Sequence, residues 1–303
     1  MLGKGGVGKS TVAAALGLAS AGAGKRTLVI EVAGQDRLSR VFRAASVGRE
    51  RETELAPNLF GTSIDVEHSI EEYLSGQLKV RPLVELLTRS RAFHTFAAAA
   101  PGLPELVTVG KIWSYAVALR EDRVPVWDAL VVDCPATGHG IALLETAGNV
   151  EALAAAGPIR DQAARIRDVV THPGATGIAI VARPDELAVS EAVEAAAALR
   201  ERGLPVAAAV LNGVRDARFH PDDRRALAAL AATGDGPASH AGAAGLRHLE
   251  EQRRDDAYRL RLAEGTGVPV VDLPELVRRR FDLAALEILA GALAGAASQN
   301  GRP

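Results

Sequence analysis

The stretch that decides the fold is MLGKGGVGKST, residues 1–11. Residues 3–10 satisfy the pattern G-x-x-x-x-G-K-[ST], which describes a phosphate-binding loop between a strand and a helix. Glycines let successive backbone N–H groups converge on phosphate oxygens, and the following helix adds the positive end of its dipole. The pattern therefore predicts nucleotide binding by Gly3, Lys4, Gly5, Gly6, Val7, Gly8, Lys9, Ser10 and Thr11.

A second motif completes the expected site. In VVDCP (131–135), an apolar strand ends in Asp133, the position at which phosphate-loop enzymes hold the water shell of Mg²⁺. Lys9 is expected to reach the β- and γ-phosphates, and the Ser10 hydroxyl to bind the metal. The two motifs predict ATP and Mg²⁺ as cofactors, with Ser10 and Asp133 at the metal.

Composition narrows the functional classes. Lys and Arg total 35 against 37 Asp and Glu, a formal net charge of -2 that gives no general attraction to nucleic acid or anionic lipid. The chain has one cysteine, Cys134. It therefore cannot form an intrachain disulfide, or a zinc or iron–sulfur site from its own thiols alone. No signal peptide or membrane span is recognisable. We expect a cytoplasmic protein without a nucleic-acid partner or stable membrane insertion.

Apolar runs alternate with helical stretches along the chain. This alternation predicts an α/β fold of the P-loop NTPase type, a doubly wound and mainly parallel sheet with helices on both faces. The runs are residues 27–32, 129–134, 177–182, 205–212 and 269–273, and the helical stretches are 11–21, 184–202 and 282–294.

Two helical segments interrupt the alternation. We expect one ATPase domain over residues 1–303, with a core of 1–65, 124–219 and 265–303, a helical insertion at about 66–123 and a second at about 220–264. Within the second insertion, TGDGPASHAGAAG (233–245) has the composition of a flexible loop.

The second lysine in the loop points to a family. Lys4 gives K-G-G-V-G-K-S, which resembles the deviant Walker A motif of partition ATPases, septum-site ATPases, nitrogenase iron protein and ArsA-type ATPases. The resemblance implies that Lys4 reaches across a dimer and neutralises phosphate charge on the partner's nucleotide. The alternative is a solvated loop lysine.

The segment DCPATGHGIALL (133–144) resembles the D-x-A-P-T-G-H switch II segment of ArsA-type ATPases, which include the arsenite-pump ATPase and the ATPase that targets tail-anchored proteins. Residues 64–73, 101–112 and 183–212 resemble further family motifs, so the similarity covers nearly the whole chain. It is strongest with actinobacterial single-module ArsA-like ATPases, which tend to occur as pairs of related subunits.

The resemblance assigns further roles. Thr137, Gly138 and His139 would sense the γ-phosphate, Asn212 would recognise adenine, and the loop containing Pro274 would pack on the base. His139 and Asn212 have a second interpretation, since either residue type is common in turns.

The chain also departs from the family pattern. Ala33 stands where well-studied members carry the switch I aspartate that positions the attacking water. Glu31 or Asp36 could replace it, and Glu31 could equally be a structural acid at a strand end. We therefore expect slow hydrolysis by the single chain, with the missing group supplied by a paralogous subunit. The family's zinc and metalloid cysteines are missing, and Met1 is the chain's one methionine, so no methionine-rich client groove is expected.

These observations favour a dimeric, ATP-driven switch. It would be a homodimer, or a heterodimer with a paralogous ArsA-like subunit, and the helical region 66–123 would engage an unknown protein client. Leu86, Leu87, Phe93 and Phe96 could line a groove for that client or be buried in helix packing. Two alternatives remain. One is a positioning ATPase that acts on membrane or DNA, for which residues 278–295 could be a membrane-targeting helix instead of a helix covering the sheet; the other is a nucleotide-binding pseudo-ATPase subunit of a heterodimer.

The position of the phosphate loop generates one prediction about the N-terminus. A strand normally precedes such a loop at the centre of the sheet, and Met1 and Leu2 alone precede it in this sequence. We expect about six further residues upstream in the native protein, which is the length of an ordinary strand. Mass spectrometry of the native N-terminus measures this, and a native protein that starts at Met1 would contradict it.

Overall fold

The computed structural model describes residues 1–32, 37–42, 51–66, 68–70, 90, 102–153 and 156–300. The strands are β1 (Thr27–Val32), β2 (Thr53–Ala56), β3 (Leu59–Ile64), β4 (Ala129–Asp133), β5 (Ile178–Ala182), β6 (Val206–Val214) and β7 (Val270–Pro274). The helices are α1 (Lys9–Gly22), α2 (Arg37–Phe42), α3 (Leu103–Ala116), α4 (Thr137–Leu153), α5 (Pro158–Thr171), α6 (Glu186–Glu201), α7 (Arg224–Ala231), α8 (Pro237–Thr266) and α9 (Leu283–Asn300).

The strands form two mainly parallel sheets, with orders β2-β3-β1-β4 and β5-β6-β7. In the first, β1 runs parallel to β3 and β4, and β2 is antiparallel to β3. All pairs in the second are parallel. Helices flank both sheets, so the predicted α/β fold is confirmed, and all five predicted strands are present within two residues of their expected ends.

Met1 and Leu2 lie between the two sheets. The amino group of Met1 donates to the Val132 carbonyl of β4 at 2.7 Å. On the other side, Leu2 forms a parallel bridge with Ile180 of β5, through hydrogen bonds of 2.9 and 2.8 Å. These two residues thus bridge the edges of both sheets directly before the phosphate loop. An apolar cavity of about 200 Å³ lies beside them, between β4, β5, α3 and α5.

One hydrophobic core spans both sheets. Val12, Ala13 and Ala15 of α1 are fully buried against strands of the first sheet, and α1 packs along α9. The apolar face of α9 is buried there, including Leu286 and Leu289. Its contacts are those of a helix that covers the sheet, which was one of the two interpretations of residues 278–295.

The hairpin of β2 and β3 was not anticipated from the sequence. Pro57 and Asn58 form its turn, and Asn58 adopts a left-handed backbone with φ of 63°. Thr62 and Ser63 of β3 are buried at 0% and 4% exposure, although they are polar. These polar residues and Gly61 interrupt the apolar run that marks the other central strands, so hydrophobicity alone could not identify β3.

The prediction of a flexible loop at residues 233–245 was wrong from residue 237 onward. Gly236 is the N-cap of α8 and Pro237 occupies its first turn, so the segment from residue 237 onward is helical. Gly242 and Gly245 allow α8 to approach α7 closely. A Cβ on Gly242 would lie 2.4 Å from the Ala231 nitrogen, and one on Gly245 would lie 2.6 Å from Leu227 Cδ2. These glycines permit close helix packing.

The predicted helical segment 66–123 is described only in part. Residues 71–89 and 91–101 lie outside the described residues, and with them Leu86, Leu87, Phe93 and Phe96. Among the described residues, α3 packs against α4 and α5. No described helix combines the length and apolar character needed to cross a membrane.

A partly buried ion pair between Arg215, directly after β6, and Asp255 of α8 generates a stability prediction. Asp255, at 3% exposure, accepts a 2.7 Å hydrogen bond from Arg215 Nη1 and a 3.0 Å bond from the Arg215 backbone N–H. Replacing Asp255 with alanine leaves both donors without this acceptor, so we expect Asp255→Ala to lower the free energy of unfolding by about 2 kcal/mol.

Chemical denaturation measures this change. Asp256→Ala is the matched control, because the neighbouring carboxylate is exposed, and it should alter stability by less than about 0.5 kcal/mol. Equal stability of the two variants would show that this ion pair does not stabilise the fold.

Candidate nucleotide-binding site

Two glycines of the phosphate loop are required by the second sheet. Gly3 has φ of 149°, and a Cβ there would lie 2.3 Å from the Val181 carbonyl oxygen of β5. Gly8 has φ of 95°, and a Cβ there would lie 2.3 Å from the side-chain nitrogen of Asn212. Any larger residue would displace the loop, because these neighbours belong to packed strands.

Asn212 fixes the loop from β6. Its Nδ2 donates a 2.8 Å hydrogen bond to the Val7 carbonyl oxygen. The side chain therefore lies at the edge of the phosphate loop, and this contact orients its amide oxygen. The structure gives Asn212 a positioning role that the sequence did not predict, and its adenine contact stays a prediction.

Lys9 lies inside the loop and is 9% exposed. Its ammonium donates hydrogen bonds of 3.0 Å to the carbonyl oxygens of Gly3 and Lys4. Burial lowers the pKa of Lys9 from its ordinary value; Asp133 opposes this shift and the charge of Arg37 adds to it. A bound polyanion would oppose this lowering of the Lys9 pKa, because negative charge nearby favours the ammonium form.

Asp133 lies at the same site, and Thr137 follows it in the first turn of α4. Asp133, Glu31, Lys9 and Arg37 line a cavity of about 220 Å³ above Gly5 and Gly6. Asp133 Oδ1 and Thr137 Oγ1 are buried and have no hydrogen-bond partner among the residues that the structure describes. Buried oxygens of this kind suit donors brought by a ligand, such as the waters of a bound Mg²⁺. Ser10 and Asp133 thus fit the metal that the sequence predicts.

Glu31 begins the switch I region and has a structural contact. It is 3% exposed, and its Oε1 accepts hydrogen bonds from the backbone N–H groups of Arg37 at 2.9 Å and Leu38 at 3.2 Å. These are the first amides of α2, so Glu31 holds the start of that helix. Ala33 and Asp36 lie outside the described residues, and the catalytic role considered for Glu31 stays a prediction.

Arg37 was not singled out from the sequence. Its Nη1 donates a 2.6 Å hydrogen bond to Ser10 Oγ, the oxygen expected to bind Mg²⁺. The one available signal was its place in a segment expected to close on the phosphates. The contact with Ser10 depends on how tertiary packing places α2, which a local motif does not encode.

A larger cavity of about 480 Å³ lies on the other side of Ser10. It is lined by the loop, by α2 residues including Arg40, and by Phe281 from the segment that connects β7 to α9. Phe281 is 42% exposed and was also missed. Pro274, predicted to contact the base, ends β7 and is not among the residues that line this cavity.

The remaining predicted residues lie at the surface. Lys4 Nζ is 3.3 Å from Glu191 Oε1 of α6, and its side chain is 31% exposed. Gly138 and His139 are exposed in the first turn of α4, directly after Asp133 and Thr137. The structure thus places Lys4 and His139 near the phosphate loop but outside its buried part.

Comparison with known proteins agrees with these motifs. The sequence profile of the family described as "Anion-transporting ATPase" matches residues 1–156. ATPase BagA of Mycobacterium tuberculosis is 32% identical over 225 residues, which is 73% of this chain and 66% of that protein. This chain therefore spans just under two thirds of that relative's length.

Two other relatives match over shorter stretches of this chain. A protein named putative arsenical pump-driving ATPase 2, from Aquifex aeolicus, is 32% identical over 151 residues, which is 49% of this chain and 48% of that one. ATPase GET3 of Podospora anserina is 27% identical over 143 residues, which is 47% of this chain and 40% of that protein. The profile match covers half of the sequence and includes both the phosphate loop and switch II. This chain therefore belongs to the anion-transporting ATPase family.

Proposed function

We propose that the protein binds and hydrolyses ATP with Mg²⁺ and works as a dimeric switch. The observation that carries the proposal is the convergence of Lys9, Ser10 and Asp133 on the cavities beside a glycine loop that two strands hold in place. Its relatives' names, which include the word ATPase, support the same activity.

The chain's own residues account for phosphate binding. Backbone N–H groups of residues 5–10 and the start of α1 provide donors for the β- and γ-phosphates, and Lys9 adds a buried positive charge. When the nucleotide binds, Lys9 exchanges its two carbonyl acceptors for phosphate oxygens, which are stronger acceptors. Mg²⁺, held by Ser10 and through water by Asp133, would neutralise the remaining phosphate charge.

In the reaction, water attacks the γ-phosphorus, the bond to the β-phosphate oxygen breaks, and ADP and phosphate leave. Lys9 lies where it can stabilise charge that develops on these oxygens. Glu31 holds α2 at the edge of the cavity, and so positions the residues that close on the phosphates. With Ala33 in the switch I aspartate position, we propose slow turnover that a paralogous subunit accelerates.

Dimer formation would use Lys4. Lys4 and Glu191 form an ion pair in which both side chains are partly exposed, and such pairs contribute about 1 kcal/mol or less to the stability of the fold. A phosphate across a closed dimer interface is a stronger partner, because several charges meet there away from water. Lys4 can therefore leave Glu191 when a second subunit approaches.

Switch II would relay the nucleotide state. Thr137, Gly138 and His139 follow Asp133 and form the first turn of α4, and α4 packs on α3. Closure of this turn on the γ-phosphate would move α4 against α3, and so reach the helical insertion at 66–123. We propose that a protein client binds there, to a homodimer or to a heterodimer with a related subunit.

The role of Lys4 is tested by its removal. Lys4→Ala should bind ATP with an affinity within about threefold of the unmodified protein, because Lys4 contacts the partner's nucleotide in this proposal, but it should not dimerise with ATP. Light scattering after gel filtration, with and without a non-hydrolysable ATP analogue, measures the mass.

Lys25→Ala is the matched control, since Lys25 is an exposed lysine at the far end of α1, and it should behave like the unmodified protein. An ATP-dependent dimer of Lys4→Ala with undiminished turnover would show that Lys4 is a solvated loop residue.

Phe281 yields a prediction about the base. Its exposed ring lines the larger cavity, so we propose that it packs against the nucleoside. Phe281→Ala should weaken ATP binding by roughly three- to tenfold, the range expected for one aromatic contact, and leave binding of inorganic tripolyphosphate unchanged. Calorimetry measures both.

Val277→Ala is the control for this loop, because Val277 is 88% exposed and does not line the cavity. Equal losses for ATP and tripolyphosphate in Phe281→Ala would instead indicate a general disturbance of the site.

A further inference from the structure

The contact between Arg37 and Ser10 has a consequence for the metal. Arg37 is the first residue of α2, and its Nη1 lies 2.6 Å from Ser10 Oγ. The same side chain lines both cavities of the site, the one above Gly5 and Gly6 and the one beyond Ser10. The guanidinium therefore lies at the boundary between the expected γ-phosphate and nucleoside regions.

Arg37 and Mg²⁺ cannot use Ser10 together. A guanidinium stays protonated at all relevant pH values, and its N–H group occupies one of the two lone pairs of the serine oxygen at 2.6 Å. Mg²⁺ requires oxygen ligands at about 2.0–2.1 Å, so a metal on Ser10 Oγ would lie against a second positive charge. Metal binding at Ser10 thus requires the guanidinium to leave.

The charge balance of the site shows where the guanidinium can act. Arg37 lowers the pKa of Lys9, so the two cations sense each other across the cavity, with Asp133 as the opposing charge. Within the described part of the chain, no carboxylate lies within ion-pair distance of the Arg37 guanidinium. A phosphate chain that enters this space therefore meets two cations, Lys9 and Arg37, before any metal arrives.

The backbone of Arg37 is held independently of its side chain. Glu31 Oε1 accepts from the amides of Arg37 and Leu38, and Leu38 is 2% exposed in the core. The side chain can therefore swing away from Ser10 while α2 keeps its place. Arg40, one turn further along α2, also lines the larger cavity.

Building on the proposed nucleotide site, we propose that Arg37 takes the place of Mg²⁺ at Ser10 in the metal-free state. In this state Arg37 binds the nucleotide phosphates from within the same chain. When Mg²⁺ arrives, it displaces Arg37 from Ser10. Nucleotide binding without metal should then depend on Arg37, whereas binding with metal should not.

The test is calorimetric titration of ADP into the unmodified protein, Arg37→Ala, Arg37→Lys and Arg40→Ala, each in excess EDTA and in excess Mg²⁺. Loss of one charge-assisted contact should weaken ADP binding by Arg37→Ala roughly tenfold or more in EDTA, and by less than about twofold in Mg²⁺. Arg37→Lys keeps the charge and should fall between the two. Arg40 also lines the larger cavity, so Arg40→Ala should change ADP affinity by the same factor in both buffers, because the contact with Ser10 belongs to Arg37.

A second readout uses the metal itself. At fixed ADP, the Mg²⁺ concentration that gives half-maximal binding should fall severalfold in Arg37→Ala, because no cation competes for Ser10. Equal losses of affinity in EDTA and Mg²⁺, or no loss in EDTA, would overturn the role of Arg37 and leave the nucleotide site intact. Absence of ADP binding by the unmodified protein in both buffers would overturn the proposed function as well.

Discussion

The structure depends on the close fit between the phosphate loop and the second sheet. Gly3 lies against the Val181 carbonyl, Gly8 lies against Asn212, and the Asn212 amide donates to Val7. Leu2 joins β5 directly before the loop, and α1 begins directly after it. The loop is thus held at both ends and in the middle. A loop held in this way needs little further ordering when phosphate binds, which lowers the cost of binding.

Electrostatics then decides what such a loop can hold. Lys9 and Arg37 bring two positive charges to one cavity, and Asp133 brings a negative charge to it. The site therefore favours a polyanion that arrives with a compensating cation. Lys4 and His139 remain near the surface, where a second subunit could reach them. In the proposed function the buried groups bind the nucleotide, and the exposed ones report its presence to a second subunit.

Much of this could be predicted from the sequence, and the misses have physical causes. Apolar runs such as residues 27–32 identified buried strands, because parallel strands covered on both faces need continuous apolar residues. Strand β3 escaped notice because Gly61, Thr62 and Ser63 are small enough to be buried without that signal. Gly242 and Gly245 suggested flexibility, whereas they permit contact between α7 and α8. Composition does not distinguish these two uses of glycine.

The site residues also divide into those that motifs predict and those that the sequence analysis missed. Lys9 and Ser10 belong to one local motif and Asp133 to another, so the sequence could predict all three as site residues, and the structure places Lys9 and Asp133 at one cavity. Arg37 reaches the site from α2, and Phe281 from the segment between β7 and α9. Tertiary packing places both residues, and the sequence contains no equivalent signal for them.

The central claim is that the loop of residues 3–10 binds ATP. Equilibrium binding of ATP in Mg²⁺ to the unmodified protein and to Lys9→Ala tests it most directly, with circular dichroism to show that the variant is folded. The account predicts saturable binding of one ATP per chain, and a loss of roughly a hundredfold or more in Lys9→Ala, since a buried cation and its phosphate contacts disappear together. Equal ATP affinity in the two proteins would contradict it.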